Sequence, residues 1–98
     1  MLHPDDAVAN KMCALFGRAE ARDFLDVDAA IQSGRYTRER LLDLAAAADG
    51  GFDRARFADA IGSLRRITDA DFDLYGASAE DLAAVRARFA DWHSELRS

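Results

Sequence analysis

The sequence predicts an all-α protein, and three observations carry that reading. Its one proline, Pro4, leaves everything after it free to be helical. Apolar residues recur at three- and four-residue spacings, and no stretch alternates apolar and polar residues convincingly. Half of the 98 residues are hydrophobic, which excludes a disordered tail. A chain of this length makes one domain with one small core. The expectation is a single helical domain over residues 1–98, a compact bundle of about five short helices.

The first helix is expected from about Asp6 to Gly17, with Asp5 or Asp6 capping its free N–H groups and Gly17 closing it. Its stripe is Val8, Met12 and Leu15, with Phe16 alongside. Arg18 to Ala21 link it to a second helix, about Arg22 to Ser33, which stops at Gly34 and buries Phe24, Val27 and Ile31. Thr37 is a good N-cap for a third helix, Arg38 to Ala48, before Gly50 and Gly51 break the chain. Asp53 caps a fourth, about Arg54 to Ile67, on Phe57, Ile61 and Leu64. Thr68 to Gly76 is punctuated and has room for one helical turn. Ser78, with Asp81 three residues on, opens the last helix, Ala79 to about Leu96. Its stripe of Leu82, Val85, Phe89, Trp92 and Leu96 is the cleanest amphipathic signal in the chain.

Composition excludes several functions. No run approaches the ~18 apolar residues of a membrane span, and the start has no basic region followed by an apolar run, so no secretory leader is expected. A single Cys13 excludes an internal disulfide and suits a reducing cytoplasm. With His3 and His93 far apart in sequence, no Cys/His metal site is expected, and Cys13 reads as an inert packing thiol. Net charge is −5, a poor balance for gripping nucleic acid unaided. Arg54, Arg56, Arg65 and Arg66 give the fourth helix a basic face that reads as solvated. Twelve of the 13 bases are Arg, and Ala and Asp are abundant, the usage of a GC-rich bacterial genome. The exception is Lys11.

Lys11 lies beside the buried stripe of the first helix, where a long cationic side chain can run along a seam and reach the bundle edge. Asp23 and Asp26 are three apart on one face of the second helix, with Arg22 next to Asp23. If the two helices form an antiparallel hairpin, Lys11, Arg22 and Asp23 share an edge. Two readings of that edge stand. One is a salt bridge between packed helices, with acids favoured at a helix start by the dipole. The other is phosphoryl or nucleotidyl transfer, in which lysine meets nucleotide phosphates and a carboxylate accepts a proton or holds the substrate.

The run from Ala9 through Lys11, Arg18 and Arg22-Asp23-Phe24-Leu25-Asp26-Val27 resembles a stretch of the AbiEii/AbiGii-type nucleotidyltransferase toxins. Gly51-Phe52-Asp53, Asp69 to Gly76 and Phe89-Ala90-Asp91-Trp92 resemble that family's helical C-terminal half. The resemblance implies a polymerase-β-type nucleotidyltransferase that uses a nucleoside triphosphate and Mg²⁺. It implies a toxin of a toxin–antitoxin or phage-defence system, with RNA such as tRNA as acceptor. By position it makes Lys11 and Asp23 catalytic residues, Lys11 near the triphosphate and Asp23 an active-site carboxylate. Arg22 and Asp26 join Lys11 as substrate-binding residues, with Arg22 steadying Asp23 or touching phosphate.

The family's Gly-Ser pair and Asp-x-Asp metal motif lie on strands of a preceding half. Here Gly62-Ser63 falls in a helix after Lys11. Asp26-Val27-Asp28, Asp69-Ala70-Asp71 and Asp71-Phe72-Asp73 sit on a helix or in the tail, so no metal ligand is assigned. The expectation is a helical half that lacks catalysis by itself and binds no cofactor alone. Its expected partners are a complementary half or an antitoxin, with RNA met only in a complete enzyme and no membrane. The rival is a small helical interaction module that dimerises or binds another protein through an exposed helix stripe.

Overall fold

A computed structural model describes residues 3–98. Among them the elements are α1 (Pro4–Gly17), α2 (Ala21–Gln32), α3 (Arg38–Ala48), α4 (Arg54–Gly62), a 3₁₀ turn (Ser63–Arg66), α5 (Asp69–Asp73) and α6 (Ala79–Arg97), with no strand. The all-α expectation holds, with six helices where about five were expected. Met1 and Leu2, part of the expected leader-free start, lie outside the described residues.

Caps follow from short polar side chains. Thr37 accepts the Arg40 N–H, Asp53 accepts the Ala55 N–H, and Ser78 forms a capping box with Asp81. The first helix departs from expectation. It starts at Pro4, and His3 caps it, its Nδ1 accepting the Asp5 N–H at 3.1 Å. Pro suits this first position because its missing N–H needs no partner there. Asp5 instead accepts from the Tyr36 hydroxyl at 2.8 Å and from Arg40 at 3.0 Å, tying α1 to the start of α3.

The fourth helix also ends early. After Gly62 the chain tightens into the 3₁₀ turn, where Ser63 Oγ donates to the Ala60 carbonyl at 2.6 Å. Arg86 of α6 holds the far side, donating to the carbonyls of Leu64 at 2.9 Å and Ile67 at 2.7 Å. The Leu64 carbonyl also closes the turn by accepting the Ile67 N–H at 3.0 Å, so the guanidinium adds a second donor there and gives the Ile67 carbonyl one. Thr68 and Asp71 then form a capping box that opens the single turn of α5.

One apolar cluster runs through every helix. α1 packs on α2, α3 and α4, and α6 packs on α4 and α2. Phe57 sits at the junction, its ring 5.0 Å from Trp92 and 5.6 Å from Phe52, while Phe24 meets Phe89 edge-on at 5.1 Å. Each fully buried aromatic contributes about 2–3 kcal/mol by leaving water. The α6 stripe is buried at Leu82, Val85, Phe89 and Trp92, so it is core and not an open docking face. Two polar clamps hold α6 down. Arg88 grips Asp28 of α2 through two bonds of 2.7 Å, and Arg38 of α3 reaches Asp91 and Glu95. No helix among the described residues is long and apolar enough to cross a membrane.

Candidate functional site at the α1–α2 turn

The three residues Arg18, Ala19 and Glu20 reverse the chain between α1 and α2. Ala19 makes the reversal with φ of 52°, the left-handed region that alanine rarely enters. Its N–H, with that of Arg18, closes on the Ala14 carbonyl, which satisfies the end of α1. The result is an antiparallel hairpin, and residues equally distant from the turn face each other. Lys11 and Asp26 are such a pair, with Nζ 3.4 Å from the carboxylate.

The hairpin encloses an open cleft of about 440 Å³, lined by Asn10, Lys11, Arg18, Arg22, Asp23 and Asp26 among others. All four residues singled out from sequence therefore meet in one place. Their partners differ from expectation. Lys11 pairs with Asp26 and not with Asp23. Asp23 is steadied by Arg18 and not by Arg22, with Arg18 Nε donating at 3.0 Å and its terminal nitrogen at 2.6 Å. The Glu20 N–H donates to the same carboxylate at 2.9 Å and completes a capping box. Arg22 is exposed at the rim.

Asp23 is only 2% exposed, yet burial does not neutralise it. The Arg18 hydrogen bonds, the Glu20 N–H and the nearby charges of Arg18 and Arg22 outweigh desolvation, so its carboxyl is held below the usual carboxylate range. The same pairing raises Arg18 further above its already high value. Asp23 is thus a fixed anion with both oxygens engaged. Lys11 is different, because its side chain is 44% exposed and its one acidic neighbour is as open as it is. A weak exposed pair of this kind exchanges readily for another anion.

The cleft offers three cations against two carboxylates, with Lys11 and Arg22 free to turn outward. That arrangement suits an incoming polyphosphate. A metal ion is another matter. Among the described residues no three His, Cys, Asp or Glu side chains gather where one could sit. Asp26 and Asp28 point apart as helical spacing requires, one to Lys11 and the other to Arg88. Asp69 is bound by Arg86, and Asp71 caps Thr68.

Arg18 is the site residue that functional reasoning from sequence passed over, since a loop residue carries no periodicity to say where it points. Its signal was its distance of five residues from Asp23 across a turn. Cys13 is half-buried, and its thiol is pushed up by burial first and by Asp49 second. His93 is half-buried, its ring against Gly62. A family model described as "Nucleotidyl transferase AbiEii toxin, Type IV TA system" matches residues 1–98, the whole chain. No curated protein and no solved structure matches.

Proposed function

The chain belongs to the AbiEii nucleotidyltransferase toxin family, and from that premise we propose that it forms the helical wall of such an enzyme's nucleotide site. The observation that supports this most directly is the single α1–α2 cleft that gathers Lys11, Arg18, Arg22, Asp23 and Asp26. Lys11 leaves Asp26 to meet the triphosphate, and Arg22 adds a second contact from the rim. Asp26 holds Lys11 along the cleft while no phosphate is present. Asp23 is the fixed carboxylate of the site. With both oxygens held it stays ionised, and it sets where Arg18 stands beside the phosphates.

Mg²⁺ needs several carboxylate oxygens gathered at one point, and among the described residues no three His, Cys, Asp or Glu side chains gather so. The residues that carry it belong to a Gly-Ser and Asp-x-Asp half, supplied by another polypeptide or by further sequence. Residues 1–98 by themselves then transfer no nucleotide. Together with that half they transfer one to RNA in the cytoplasm, as a toxin opposed by an antitoxin.

The test is reconstitution. A polypeptide carrying the Gly-Ser and Asp-x-Asp motifs is mixed with this chain, labelled nucleoside triphosphate, Mg²⁺ and RNA. Label enters RNA only in the mixture, and Lys11→Ala or Asp23→Asn lowers the rate by about 10²-fold. Circular dichroism confirms that both variants are folded. Undiminished transfer by both folded variants would overturn the site assignment. Transfer by the chain alone would overturn its dependence on a second half.

A further inference from the structure

On the other side of the core, α4, the 3₁₀ turn and α6 enclose a half-open groove of about 490 Å³. This volume lies within the range of small-molecule sites, roughly 300–1,000 Å³. Its floor is apolar, made by Ile61, Leu64 and Phe89, and its rim carries Arg65, His93 and Ser94. No carboxylate lines it, although 18 of the chain's 98 residues are acidic. The α1–α2 cleft has two.

Three features build this groove. Gly62 lets the His93 ring lie against the end of α4, since a Cβ there would stand 3.2 Å from Nε2. The 3₁₀ turn tightens the end of α4 and sets Leu64 and Arg65 along the groove. Arg86 fixes that turn by donating to two of its carbonyls and to Asp69, so its own charge is committed. Arg65 differs. It is exposed and in no ion pair among the described residues.

We infer that the groove is a binding site for a small organic anion, with an apolar body on the Phe89 floor and a carboxylate or phosphate against Arg65, His93 and Ser94. Arg65 supplies the charge, and the imidazole and hydroxyl supply donors. An apolar body alone would leave the rim donors unused, and a bare inorganic anion would leave the floor wet. The ligand therefore carries both parts. A free nucleoside monophosphate and an aromatic carboxylate share that chemistry. This inference does not depend on the nucleotidyltransferase reading.

Trp92, the chain's one tryptophan, reports on the groove through Phe89, with ring centroids 5.9 Å apart. The experiment titrates the full chain with 1-naphthoate, cytidine monophosphate and inorganic phosphate, following binding by calorimetry and by Trp92 emission. The expected result is saturable one-site binding of naphthoate or the nucleotide, and none of inorganic phosphate. The stronger of the two identifies the source. Arg65→Gln weakens binding about tenfold, and Ala90→Phe, which fills the groove from an exposed position, abolishes it. Lys11→Ala leaves it unchanged. Absence of saturable binding by both organic anions, or binding that survives Arg65→Gln and Ala90→Phe at full strength, overturns the inference. Loss on Lys11→Ala does so too, by placing the ligand in the α1–α2 cleft.

Discussion

The α1–α2 cleft and the α4–α6 groove are of similar size, about 440 and 490 Å³, but they treat charge in opposite ways. The cleft mixes signs, and its acids are matched, Asp23 by Arg18 and Asp26 by Lys11. The groove holds cations and donors with no acid among its lining residues. A buried matched charge such as Asp23 does two jobs at once, because it holds the α1–α2 turn and keeps the site ionised. Unmatched ones leave the fold nearly untouched when removed. The same residue type can thus be scaffold in one region and free in the other, as Arg18 and Arg65 are.

Removing Asp23 should have the largest effect on this contrast. Asp23→Ala deletes the capping box of α2 and three hydrogen bonds to a buried carboxylate, a loss of about 2 kcal/mol. Thermal melting should fall by roughly 10 °C. The pH dependence carries the same signature. A carboxyl whose folded value is depressed stabilises the protein above its unfolded value, near ~4. That stability is lost as pH falls through the lower folded value. Melting curves from pH 6 down to pH 2 should show a steep acid limb in the parent and a shallower one in Asp23→Asn. Matching limbs would mean the carboxylate does not hold the turn.

An intermediate effect tests how the groove is built. In Gly62→Ala the new methyl crowds His93, which must shift by a few tenths of an ångström. With His93→Ala already in place, the crowding is gone and alanine helps the end of α4, by about 0.5–1 kcal/mol. Urea unfolding of the four species should give a coupling of about 1 kcal/mol. Additive effects would show that His93 does not rest on Gly62.

Lys11→Ala should do least. Its pair with Asp26 is exposed on both sides and contributes under about 0.5 kcal/mol, so melting should stay within roughly 3 °C of the parent. A larger drop would make Lys11 a structural residue and weaken its place in the proposed function.

Much of the fold was legible in the sequence because the forces that set it are local. Apolar spacing placed the helices, and Thr37, Asp53 and Ser78 announced their own starts. What was missed depended on distant partners. The early end of α4 could not be read from Phe57, Ile61 and Leu64, whose spacing also fits an uninterrupted helix. The carbonyls of Leu64 and Ile67 there are held by Arg86, some twenty residues later. The His3 cap was hidden because a ring nitrogen rarely fills that role. In the cleft, the gathering of Lys11, Arg22, Asp23 and Asp26 was legible as two helical faces across a short turn. Their pairing was not, because the aim of Arg18 is decided by backbone torsion at Ala19 and not by helical phase.

Ala19 has a consequence for the cleft as an instrument of recognition. Ala19 carries the reversal, and the α1 and α2 faces beyond it are sealed by buried Met12, Leu15, Phe24 and Val27, so the gape between the jaws does not hang on the exposed Lys11–Asp26 bridge. Concentrated salt would strip Lys11 from Asp26 without letting the helices drift. An arriving ligand would meet the same aperture in dilute buffer and in a crowded electrolyte.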